Sequence, residues 1–178
     1  FMGNSFLLST PNNTFTYSNI LESLQPNQQI AGFNAEAIYS NNDQDIIGAR
    51  FIHKKSGFVL DLLRIQTIPQ AFIWVNTHPV SDRGEPHTLE HLLLGKGKKG
   101  RYVASLEEMS LGKSSAFTAQ VRTCYHFHTT AGSSVFFSLF KAKLDAMLHP
   151  DFSDEEIRRE VMNMGIREDA VDSTLSLE

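Results

Sequence analysis

The chain of 178 residues holds a single cysteine, Cys124, so no internal disulfide can form and the fold must rest on packing and, where one binds, a metal. Basic charge is not in excess either. Sixteen Lys and Arg against twenty Asp and Glu give a formal net charge of -4, which argues against nucleic acid or an anionic membrane as a partner. No apolar run approaches the roughly 20 residues of a membrane-spanning helix. The opening FMGNSFLLST lacks the basic start and long apolar core of a signal peptide. A soluble protein is therefore expected, with its compartment left open. Internal repeats and low-complexity tracts are missing as well, and the length and composition are those of one globular domain able to bury a core.

The first 28 residues, rich in Asn, Ser, Thr and Pro, predict an extended arm without periodicity. From residue 29 the pattern sharpens. FNAEAIYS alternates apolar and polar positions, GARFIHK and FVLDLLRI flank a turn at Lys55-Ser56-Gly57, and AFIWVNTH follows Ile68-Pro69. Three or four antiparallel strands are the simplest reading. SDRGEPH then supplies turn residues and a Pro at a first helical position, so HTLEHLLL is predicted to run as a helix until Gly95 and Gly97 end it. In that helix Leu89 and Leu93 are the residues available for burial.

Beyond a basic loop, KGKKGR, the segment 102–111 has helical spacing, and 115–129 has strand character centred on Thr123-Cys124-Tyr125. Val135, Phe136, Leu139, Phe140, Leu144 and Leu148 trace an apolar stripe that is read as core. Ser153 and Glu156 form a capping box for a helix running to about Gly165. The polar end REDAVDSTLSLE is expected to be solvated or disordered.

Chemistry concentrates in His87-Thr88-Leu89-Glu90-His91, an H-x-x-E-H sequence. At 100° per residue His91 lies about 40° around the helix from His87, and Glu90 about 60° short of a full turn. The three side chains can converge on one point. Neutral imidazoles at i and i+4 suit zinc, which in catalytic sites keeps a position open for water. Zinc acidifies that water, and a neighbouring carboxylate, Glu90, can take its proton and deliver it to a leaving amine.

GARFIHKKSGFVLDLL, NTHPVSDRGEPHTLEHLLLGKGKKG, SSAFTAQVRTCYHF and DFSDEEIRREV, in that order, resemble the insulysin and pitrilysin group of metallopeptidases, most closely its presequence protease branch. The resemblance covers most of residues 30–165. It implies an α+β fold in two layers, a mostly antiparallel sheet backed by helices on one face. It also implies a zinc endopeptidase acting on short unfolded peptides, with His87 and His91 as zinc ligands and Glu90 as general base. Ser115, Ala116, Phe117 and Thr118 would belong to an edge strand that holds the peptide substrate as an added strand. Ser115 departs from the Asn usual in the family at that position.

The family draws its third zinc ligand from a Glu on a later helix. The spacing of insulysin, roughly 77 residues after the second His, falls on Glu168, whereas that of presequence proteases, roughly 96, passes beyond Glu178 and is favoured. Residues 29–178 are then expected to be the N-terminal part of a catalytic domain. The partners implied are the remainder of that domain and a homologous second half. A non-catalytic peptide-binding or scaffold subunit of the same fold is the alternative, and an intact Glu90 speaks against it.

Other candidates have plainer readings. Cys124, His126 and His128 form C-x-H-x-H but are read as ordinary strand positions, His53 and His78 as residues in or at the end of strands, and His149 as a helix-end residue that complements the dipole. KGKKGR is read as solvated surface. Glu160 is read as a helix-surface carboxylate, with a supporting role at the active site as the alternative.

Overall fold

The computed structural model describes residues 22–81 and 83–163, together with the backbone of 166–168 and 175–177. The expected N-terminal arm lies outside the described residues up to residue 21. The chain is α+β, with antiparallel sheets of four and three strands, and it divides after Gln66 into two units.

In the first unit, β1 (Gln29–Ile30), β2 (Phe33–Ser40), β3 (Ile46–His53) and β4 (Val59–Leu63) form a meander in that order. Alternation along β2 and β3 carries Ala35, Ala49 and Phe51 into a small core with Leu24, against which Ile30, Phe33, Ile38 and Leu60 pack. Glu36 is an extra residue between the pairs Ala35 with Phe51 and Ala37 with Arg50, a bulge that bends β2. The turn predicted at Lys55-Ser56-Gly57 is present, Gly57 taking φ 69°, and a Cβ at Gly48 would collide with the Leu62 carbonyl of β4. On the exposed face Arg50 grips Asp61 through two hydrogen bonds of 2.8 Å, and the Tyr39 hydroxyl donates to the same carboxylate at 2.7 Å.

The second unit is built on β5 (Gln70–Asn76), β6 (Gly112–Thr118) and β7 (Arg122–Thr129), in the order β5-β7-β6. The strand AFIWVNTH thus pairs with β7 and not with the strands that precede it. Four helices among the described residues belong to this unit: α1 (Glu85–Gly95), α2 (Gly97–Met109), α3 (Ser133–Leu148) and α4 (Asp154–Asn163). One face of the sheet carries the helices. Thr123, Tyr125, Phe127 and Thr129 of β7 are all buried, and Phe127 stacks on Phe136 and Phe140 of α3 at 5.3 and 5.7 Å.

Buried among these rings is a charge, which the apolar stripe of α3 did not announce. Lys143, 6% exposed, donates to Ser114 Oγ at 2.5 Å, pairs with Glu107 of α2 at 2.9 Å, and lies 5.5 Å over the Phe127 ring. Burying an ammonium requires such partners, so the three residues tie β6, α2 and α3 together.

Three local expectations are corrected. The segment KGKKGR is not a loop: α2 starts at Gly97, whose φ of 74° turns the chain directly out of α1 and whose missing Cβ makes room for Asp151. Its cations do stay at the surface as expected, and there Lys96, Lys99 and Arg101 pair with Glu160, Asp145 and Glu156. In α1 the buried leucine is Leu92, whereas Leu89 is 42% exposed. Finally, part of the polar end is ordered as strands, β8 (Ile166–Glu168) pairing antiparallel with β9 (Leu175–Leu177).

Candidate active site

The site is built on α1. Gly84, in the left-handed region at φ 70°, turns the chain, Pro86 sits in the first helical turn as predicted, and Thr88 closes the turn onto the Gly84 carbonyl through its amide and its hydroxyl. The helix needs no side-chain cap at its N-terminus. Helical spacing then brings the His87 and His91 rings edge to face, with their Nε2 atoms 3.0 Å apart.

The far nitrogen of His91 is held as well. Its Nδ1 lies 2.7 Å from Glu160 Oε1, on α4, and the second oxygen of Glu160 is 3.2 Å from Lys96 Nζ. Glu160 is only 5% exposed, so the reading of it as a surface carboxylate is overturned. Burial alone would raise the Glu160 carboxyl, but hydrogen bonds from His91 and Lys96 outweigh it and hold the group below its ordinary value. An ionised carboxylate only accepts. In the contact with Glu160, His91 is therefore the donor, through Nδ1–H.

Glu90 is buried, 4% exposed, and accepts from the Thr118 hydroxyl at 2.5 Å. Behind it runs a chain of hydroxyls. Thr118 and Thr123 lie 3.1 Å apart, and Thr123 and Thr77 3.0 Å. Since Thr118 donates to the carboxylate, each hydroxyl behind it accepts from the next, and the three bonds point the same way toward Glu90. Burial, and then the Glu90 charge, pushes the neighbouring Tyr125 hydroxyl up to about 12, so it stays neutral.

Residues 115–118 lie on β6, which is an edge strand of its sheet. Ala116 and Thr118 share the helix-bearing face, whereas Phe117 turns away and meets Trp74 edge to face at 5.6 Å. Cys124, His126 and His128 share that other face. His126 stacks on Phe72 and contacts Gln70, and Cys124 is buried, with burial pushing its thiol up.

Among the described residues no group of three His, Cys, Asp or Glu side chains is arranged to hold a metal ion. His87 and His91 are a pair. Glu168 lies in β8, and its side chain is outside the described residues. Sequence reasoning had the helix trio but ranked Glu160 low and missed Lys96 and the threonine chain. The capping box that starts α4 located the helix carrying Glu160: Ser153 N–H donates to Glu156 at 2.9 Å and Glu156 N–H to Ser153 Oγ at 3.2 Å.

No family model matches the chain. Over 120 residues, 65% of its length, it is 32% identical to the uncharacterized protein YOL098C of Saccharomyces cerevisiae, 12% of which is covered. Over 167 residues, 90% of its length, it is 28% identical to a mitochondrial presequence protease of Emericella nidulans, 16% of which is covered. The chain thus spans only about an eighth to a sixth of the length of the relatives it matches. Distant similarity to a protease supports a peptidase-related function.

Proposed function

We propose that this chain carries the catalytic helix of a zinc-dependent endopeptidase for short unfolded peptides, with His87 and His91 as metal ligands and Glu90 as general base. The observation that carries the reading is the 3.0 Å approach of the two Nε2 atoms on one helix face, one of them backed by a buried carboxylate. Two nitrogens bound to tetrahedral zinc at about 2.0 to 2.1 Å lie roughly 3.3 Å apart, so the rings need open by only a few tenths of an ångström. A carboxylate behind a ligating imidazole is the usual arrangement at such sites. Two imidazoles of this kind supply part of the donor set that zinc takes, which supports the reading.

Zinc bound there supplies Lewis acidity to a carbonyl and to water. The remaining work belongs to the chain. Thr118 occupies Oε2 of Glu90, which leaves Oε1 to accept the proton of an attacking water and return it to the departing amine. The same threonine closes β6, so a peptide added to the outer edge of that strand, at Ser115–Thr118, runs past the base. Backbone pairing of this kind tolerates many sequences.

The third ligand is proposed to be a glutamate beyond Glu178, with Glu168 as the alternative. Residues 1–178 by themselves should then bind zinc weakly and cut peptides poorly. Tight one-to-one zinc binding by calorimetry, with full turnover, would overturn that part. For the whole reading, Glu90→Gln in the natural gene product should keep zinc while hydrolysis falls by about 10² to 10⁴-fold. Unchanged turnover would remove Glu90 from the mechanism and return the non-catalytic peptide-binding subunit to the front.

A further inference from the structure

We propose that Lys96 is a positioning residue for the metal-binding imidazole: by holding the second oxygen of Glu160, it fixes the first against His91. The inference rests on the zinc reading above and goes beyond it, to a residue outside the five-residue motif. Its basis is the way the two oxygens are shared. Oε1 meets His91 Nδ1 at 2.7 Å and Oε2 meets Lys96 Nζ at 3.2 Å. A carboxylate tied at one oxygen still swings about its terminal torsion, which has no sharp staggered minimum. Tied at both, it cannot turn without breaking a charged contact.

The placement of Lys96 makes it suited to this. It is the single extended residue between α1 and α2, at φ -94° and ψ 166°, and its amide is already bound to the Leu92 carbonyl. The side chain therefore leaves from a fixed point one turn beyond His91, and the two residues bracket a carboxylate presented by α4. The neighbouring cation does not compete for that carboxylate, because Arg101 is engaged by Glu156, one turn earlier on α4. The bracket is also dry on the acceptor side, since the Glu160 side chain is 7% exposed, although Lys96 itself is 43% exposed. Water can reach the ammonium, but it has little access to the oxygens that the ammonium holds.

The distinction to be tested is between positioning and mere attachment of α4. Lys99 provides the control, because it makes a comparable pair with Asp145 of α3 at 2.9 Å without touching the imidazoles. The experiment measures zinc dissociation constants by chelator competition, and the visible spectrum of the cobalt-substituted natural gene product. Lys96→Met should weaken zinc by about 10-fold and alter the cobalt bands, Lys96→Arg should restore both, and Lys99→Met should change neither. Lys96→Gln, which keeps a donor to Oε2 without the charge, should fall between and serves if the Met variant does not fold. Wild-type affinity and spectrum in Lys96→Met, or in Lys96→Gln where that variant is the one that folds, would overturn the proposal. A wild-type protein that takes up neither metal would instead sink the peptidase reading on which it stands.

Discussion

Two histidine pairs in the second unit make an instructive contrast. His87 and His91 are four apart on a helix, whereas His126 and His128 are two apart on a strand, and each spacing puts both rings on one face. The helical rings bond to each other. Their centroids are 4.6 Å apart and their Nε2 atoms 3.0 Å apart, while the strand rings lie 5.4 Å apart between centroids, one of them stacked on Phe72 at 4.4 Å and bonded to Gln70. The difference lies less in the histidines than in what stands behind them. A buried carboxylate fixes the tautomer of His91, but the strand pair has a neutral amide, and burial pushes His126 below its ordinary value.

The sharpest way to break this contrast is to remove each pair in turn. His87→Ala and His91→Ala should each abolish stoichiometric zinc binding by the natural gene product, and His126→Ala with His128→Ala should leave it intact. Metal content after dialysis decides. Loss of zinc from the strand variants would show that the neutral surroundings of that pair do not disqualify it.

A second comparison concerns buried charge with and without a chemical task. Lys143 is as enclosed as Glu160 and its partner Glu107 nearly so, yet they face no donor pair, and their role is to hold β6, α2 and α3 together. Lys143→Met should cost about 3 kcal/mol in urea unfolding, because it leaves a mostly buried carboxylate without its cation. Adding Glu107→Leu should recover much of that loss. A Met variant of wild-type stability would mean that Glu107 finds other partners.

The smallest effect is expected at Glu156, whose carboxyl is lowered to about 2 by the amides of Ser153 and Gly97 and then by Arg101. A depressed carboxyl stabilises the fold above its unfolded value, near 4.3, and that contribution is lost as pH falls through the folded value. Unfolding midpoints should therefore drop between about pH 4.5 and pH 2. Glu156→Gln should flatten that part of the curve, and an unchanged slope would show that other carboxylates dominate it.

Local features were the most legible. The turn at Gly57, the capping box at Ser153 and Glu156, and Pro86 in the first turn of α1 depend on neighbours in the chain, and each lies where residue type alone predicted. Reading KGKKGR as a loop failed for a non-local reason. Its cations find carboxylates on α3 and α4, and Gly97 supplies a sharp turn where a longer linker was expected.

The sequence by itself determined that His87, Glu90 and His91 share one side of a helix, because that follows from the pitch of the α-helix and needs no other part of the chain. Tertiary structure decided how they are equipped. Glu160 reaches His91 across 69 residues and Thr118 reaches Glu90 across 28. Such meetings depend on how helices settle on a sheet, and no local periodicity encodes them. The strand that pairs with β5 was decided in the same way, since alternation marks a strand as half-buried without naming its neighbour.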